Sequence, residues 1–123
     1  MPPPKSNAIR LRHMLDAARK ALQFTAEKSP TDLQTDEKLT LALVRLIEII
    51  GEAAVKVTPD IQARFAAIPW REIIGTRNRL IHGYDQVNLE ILWKIVSTDL
   101  PSLVKELEKA IIGLENDTQQ KLL

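Results

Sequence analysis

Arg77 and His82 are separated by four residues in the stretch RNRLIHGY, residues 77–84. Arginine is a permanent planar cation whose donor fork matches an anionic oxygen pair. Histidine changes protonation near neutral pH. One can hold an anion and stabilise developing charge while the other moves a proton. Asn78 follows Arg77 directly and supplies an amide that can orient either group. Tyr84 adds a hydroxyl two residues beyond His82. Each residue also has a plain structural reading. Arg77 can snorkel or pair with Glu48 or Glu52. His82 can sit at a helix end, where the dipole favours it. Tyr84 can be a core-edge residue.

The rest of the inventory excludes other chemistries. The chain has 123 residues, no cysteine and two histidines, His13 and His82. No disulfide or thiolate site can form, and a His/Cys zinc site within one chain is excluded. There is no glycine-rich phosphate loop and no G-x-S-x-G motif. An enzyme of this composition is expected to work with Arg and His as its charged tools, without metal or cofactor. The formal net charge of +1 rules out coating nucleic acid by bulk charge, so any such contact must be local. The opening MPPPKSN has no apolar segment of signal-peptide type, and no apolar run is long enough to span a bilayer. A reducing cytoplasm with no membrane association is the expected setting.

The elements that must position these residues read as helices. Hydrophobic residues make up 45% and aromatics 4%, which disfavours a β-rich fold. Leu11, Leu15, Ala18, Leu22 and Thr25 form one helical stripe, which Ser29-Pro30 is expected to stop. SPTDLQTD then reads as a loop. A second helix starts near Asp36 and is apolar on most sides, from Leu39 to Val57, so it must be central or face a partner chain. Thr58-Pro59-Asp60 opens a short helix. A third main helix is expected from Pro69 to Gly83. With Arg77 at zero on a helical wheel, Trp70, Ile73, Ile74, Leu80 and Ile81 fall within about 60° of it. Arg77 thus stands at the centre of an apolar stripe. On the same wheel Asn78 lies at about 100° and His82 at about 140°, as neighbours four apart. Asn88 caps a fourth helix, with Val87 and Leu92 as a hydrophobic staple. Its stripe runs through Leu89, Trp93, Val96, Leu100, Leu103, Leu107, Ala110 and Leu114, and Pro101 is expected to kink it. Trp70 and Trp93 read as core anchors. The expected fold is all-α: an antiparallel bundle of four main helices plus a short one. It forms a single domain over 1–123, with 1–7 and 116–123 flexible.

LIEIIGEAAVKV, IPWREIIGTRNRLIHGY and VNLEILWKIVSTDLPSL together resemble the HepT-like family of the HEPN superfamily. The likeness is detailed over roughly 39–107 and extends to the whole chain in helix order. The superfamily motif is Arg, four to six residues, then His, and Arg77 and His82 match it with Asn78 in the following position. Tyr84 matches the HepT tyrosine two residues after the histidine. The resemblance implies a homodimer and a toxin ribonuclease whose composite site joins two motif helices. It implies Arg77, Asn78 and His82 as catalytic residues acting on RNA without a metal. It also implies an MntA-type nucleotidyltransferase antitoxin that silences the toxin by AMPylation of Tyr84. Residues alone leave two rivals open. One is a non-catalytic nucleotide- or substrate-binding partner subunit of a minimal nucleotidyltransferase. The other is a structural helical dimer in which Arg77 is an ion pair.

Overall fold

The computed structural model describes residues 6–82 and 86–122, with backbone only for His82 and residues 118–122. In chain order these form α1 (Asn7–Thr25), α2 (Pro30–Thr35), α3 (Glu37–Lys56), α4 (Pro59–Arg64) and α5 (Trp70–Leu80). Two-residue strands β1 (Ile81–His82) and β2 (Gln86–Val87) follow. Then come α6 (Leu89–Lys94), a π-helical turn (Ile95–Asp99) and α7 (Leu100–Leu122). The fold is all-α apart from the small hairpin. No helix among the described residues is long and apolar enough to cross a membrane.

The apolar second helix of the sequence is α3, and it takes the centre. It packs against α1 on one side and α5 on the other, and α7 lies against α1. Asp36 caps it, accepting from the Leu39 N–H at 3.1 Å. Its core residues include Leu43, Val44, Leu46, Ile47 and Ile50, against Leu11, Met14 and Leu15 of α1 and Leu103 and Leu107 of α7 in one continuous cluster. The start of α1 is tied to the end of α3. Asn7 donates to Thr58 Oγ1 and accepts from Thr58 N–H, each at 3.0 Å. These helices are therefore antiparallel. Arg12–Glu115 at 3.6 Å and Arg19–Glu108 at 3.5 Å fix α1 and α7 antiparallel as well. As exposed ion pairs, they set register more than stability.

Three sequence expectations need correction. SPTDLQTD is a helix start, not a loop. The Ser29 amide and hydroxyl donate to Asp32 at 2.7 and 3.1 Å, and Pro30 occupies the first helical position. Those bonds hold the Asp32 carboxyl below the usual carboxylate range, the Ser29 amide contributing most. Second, the helix carrying Arg77 ends at Leu80, not Gly83, because Ile81 and His82 leave it to pair antiparallel with Val87 and Gln86. Third, the stripe expected on one fourth helix is carried by α6, a wide π-turn and α7, with Leu100 N–H bonded to the Ile95 carbonyl. The turn lies just ahead of Pro101, whose missing N–H would leave an α-ladder carbonyl unmatched.

Other expectations stand. Asn88 caps α6 through Ile91 N–H at 3.1 Å, Leu92 is fully buried and Val87 packs partly against the core. Trp70 is buried, its indole N–H donating to Gln62 O at 3.0 Å and Phe65 O at 3.2 Å, while Trp93 is half-buried.

Leu80, 0% exposed, closes α5 immediately before the strand that carries His82. Leu80→Ala is expected to cost about 2–5 kcal/mol through lost burial and a residual cavity. Urea unfolding followed by circular dichroism should show the midpoint falling with an unchanged slope.

Candidate active site

Helix α5 buries Trp70, Thr76 and Leu80, with Ile73 partly covered. On the wheel used above, the centre of that buried face lies about 50° from Arg77, toward Thr76. The sequence put Arg77 at the stripe's centre; in the fold it is at the edge, and exposed. Asn78 and Arg79 are also exposed. Ile74 beside Arg77 leaves 40% of its surface uncovered.

Arg77 lines a hollow of about 180 Å³ between α5 and α3, together with Glu48, Gly51, Glu52, Val55 and Ile74. The two carboxylates are those offered by the structural reading as its ion-pair partners. Both go instead to Arg45, at 3.5 Å to Glu48 and 3.5 Å to Glu52. Among the described residues Arg77 has no ion pair or side-chain hydrogen bond, so its fork is available to an external anion. Its carbonyl accepts from the Ile81 N–H, closing the helix.

His82 is placed by backbone pairing. It stands opposite Gln86 in the hairpin, and Asn88 N–H donates to the Leu80 carbonyl at 2.8 Å, holding the hairpin's base to the helix end. His82 therefore is not Asn78's neighbour four residues along a helix. It leaves α5 on an extended segment and keeps its place close behind Arg77 in the chain. Gly83 and Tyr84 lie outside the described residues.

A larger cleft, about 380 Å³, opens on the other face of α5, against the π-turn and the start of α7. It contains Thr76, Arg79, Lys94 and Asp99, none of the motif residues, and sequence reasoning did not point to it. Among the described residues no group of three or more His, Asp or Glu could hold a metal ion.

With this geometry in view, similarity to known proteins decides the family. The model of the family described as "Ribonuclease HepT-like" matches residues 14–110. The chain belongs to that family. A Thermococcus cleftensis protein named "Probable ribonuclease HepT" is 37% identical over 105 residues, covering 85% of this chain and 96% of the relative. A Methanocaldococcus jannaschii protein named "Putative RNase" is 36% identical over 98 residues, covering 80% of this chain and 90% of the relative. A Caldanaerobacter subterraneus protein of the same designation is 34% identical over 101 residues, covering 82% and 90%. No solved structure matches the chain. The matched HepT-like segment contains α3 and α5, which line the Arg77 hollow, and the hairpin strand that carries His82.

Because Arg77 is exposed and unpaired among the described residues, Arg77→Ala is expected to change stability by no more than about 0.5 kcal/mol. Parallel urea titrations of the two proteins check this. A loss of several kcal/mol would mean that the arginine is structural.

Proposed function

We propose that this HepT-like chain is the toxin of a toxin–antitoxin pair, a metal-independent endoribonuclease acting as a homodimer in the cytoplasm. The observation that carries the reading is the unpaired Arg77 fork, left free because Arg45 takes Glu48 and Glu52. An exposed guanidinium without an ion-pair partner among the described residues, in a hollow whose two carboxylates are paired with Arg45, is suited to a phosphate. The family membership makes that phosphate one of RNA.

RNA brings its own nucleophile. One His82 takes the proton of the 2′-hydroxyl as that oxygen bonds to the neighbouring phosphorus. The bond from phosphorus to the 5′-oxygen breaks, and that oxygen takes up a proton from the second copy's imidazolium. The products are a 2′,3′-cyclic phosphate and a 5′-hydroxyl. Arg77 grips the non-bridging oxygens and stabilises the charge that builds on them. Asn78 orients the phosphate or the imidazole. The two copies of the motif supply base, acid and phosphate clamp, with the whole chain acting as one domain.

Tyr84 is the proposed off-switch, the target of an MntA-type nucleotidyltransferase antitoxin. Its phenolic oxygen attacks the α-phosphorus of ATP, pyrophosphate leaves, and the phenolic proton passes to a base on the transferase. The new phosphodiester competes for Arg77, and the nucleotide blocks RNA entry.

Purified protein incubated with RNA in EDTA should release ends bearing cyclic phosphate. Arg77→Ala and His82→Ala should each lower the rate by about 10²–10⁴-fold with folding retained. Cleavage that requires magnesium, or full activity in His82→Ala, would refute the mechanism.

The switch is checked by intact mass after incubation with the partner nucleotidyltransferase and ATP. AMP is expected on the wild type and absent from Tyr84→Phe. Equal addition to both would move the modification elsewhere.

A further inference from the structure

The larger cleft, on the far side of α5 from Arg77, has a lining that defines its occupant. Its floor is branched aliphatic, from Ile47, Ile50, Ile73, Ile95 and Leu103. All of these but Ile73 are buried. The π-turn forms one wall through Ile95, Thr98 and Asp99, and widened turns of this kind recur at functional sites. At about 380 Å³ the cleft falls in the range of small-ligand pockets.

The charges on its rim are sorted. Asp99 lies 3.9 Å from Lys94, and Glu106 accepts from Lys109 at 3.4 Å. Glu72 and Arg79 have no ion pair among the described residues, and both are exposed. Thr76 positions the arginine. Its buried hydroxyl donates to the Glu72 carbonyl at 2.6 Å and accepts from the Arg79 guanidinium at 3.3 Å. Glu72 and Arg79 are seven residues apart, two turns along one face of α5, a rise of about 10 Å. The cleft thus has a free carboxylate toward one end of its apolar floor and a free guanidinium toward the other.

The cleft also connects with the Arg77 hollow. Thr76 and Leu80 are buried, whereas Arg77, Asn78 and Arg79 between them are all exposed. With Arg77 at zero on the wheel, Asn78 stands at about 100° and Arg79 at about 200°. The three form an arc of donors round the outward face of the last turn, a guanidinium at each end and an amide between. The hollow lies at the Arg77 end and the cleft at the Arg79 end. A phosphodiester strand on this arc sets one phosphate on Arg77 and a neighbouring one on Arg79, which brings the next base to the cleft.

We infer that the cleft is a base pocket for the RNA and takes an unpaired guanine flanking the cut. The inference rests on the ribonuclease reading above and gives that activity a base preference. The choice of base follows from Glu72. A carboxylate only accepts, through two oxygens side by side. Guanine alone presents two N–H donors side by side on its pairing edge, from N1 and the 2-amino group. Adenine and cytosine each present an amino group beside a ring nitrogen whose lone pair faces the carboxylate. Uracil presents its N3–H between two carbonyls. The face of the base lies on the aliphatic floor, as splayed-out bases lie on apolar side chains in other nucleic-acid sites.

Binding is measured without cleavage. Oligomers of 2′-O-methyl RNA lack the 2′-hydroxyl nucleophile. Short uridine oligomers with one central guanine, inosine, adenine or cytosine are titrated by fluorescence anisotropy. Guanine should bind about tenfold or more tighter than adenine or cytosine, with inosine, which lacks the 2-amino group, between them. Glu72→Gln should erase that preference, because an amide replaces one acceptor by a donor. Glu72 is exposed, so the variant keeps the fold. Arg79→Ala should weaken every oligomer alike and lower the salt dependence by about one ion. Equal affinity for guanine and adenine, a preference unchanged in Glu72→Gln, or no measurable binding of any oligomer overturns the pocket. Cleavage is read separately, by sequencing the 5′-hydroxyl ends cut from random-sequence RNA. Guanine should be enriched at one fixed position beside the cut, and not in the products of Glu72→Gln. Guanine-dependent binding without cleavage removes the ribonuclease proposal and leaves the pocket. Cleavage without guanine enrichment, or with the same enrichment in Glu72→Gln, does the reverse.

Discussion

Everything in this molecule is arranged around the need to cover α3. A 20-residue helix with apolar side chains on most of its circumference cannot stand on a surface. Helix α1 takes one flank, α5 takes another, and α7 completes the core by packing on α1. The threonine of α3, Thr40, is buried too, its hydroxyl donating to the Leu33 carbonyl at 2.9 Å, so α2 is recruited as a lid over the helix's start. The one line of α3 that the chain leaves bare is also the line beside which Arg77 stands.

The allocation of charge along that line matters more than the amount. Two arginines and two glutamates share the region, and a neutral sum could have been reached by pairing every one of them. Instead Arg45 lies within 3.5 Å of both carboxylates, leaving the other arginine without a mate among the described residues. Glu48 is three residues from Arg45 and Glu52 is seven, so all three sit on the same side of a single helix and need no tertiary contact to find one another. Arg77, on a different helix, would reach either acid only across a packing interface. Local pairing therefore wins, and the cation on α5 is spared.

Much of this was legible in the sequence, and where it was not the causes are physical. The all-α class, the central apolar helix, the Asp36 and Asn88 caps and the short helix after Thr58 followed from periodicity and capping chemistry. The end of α5 did not, because Leu80 and Ile81 satisfy a helical pattern as well as they satisfy a helix end and a strand. Pairing of Ile81 with Val87 is a contact between segments, invisible to a helical wheel. Ser29-Pro30 was misread because serine followed by proline both ends one helix and begins the next; the decisive partner, Asp32, lies three residues on. The wheel found Arg77 in an apolar stripe but could not say that the fold would bury Trp70, Thr76 and Leu80 and leave Arg77 at the edge. The larger cleft beside Arg79 left no sequence signal at all, being a gap between elements and not a motif.

The π-turn at Ile95–Asp99 has the character of a vernier. Leu92, Val96 and Leu100 are all buried at successive intervals of four, a spacing that drifts around a regular α-helix by about 80° over two steps. Widening one turn takes up that drift, which is why Leu92 and not Trp93 is the fully buried member of α6. The segment before the turn packs on α2 and α5, and the segment after it packs on α1. One rod thus serves two clients whose angular demands differ. The spare residue in the wide turn uncouples them, so α6 seats on α2 and α5 without rotating α7 in its seat on α1.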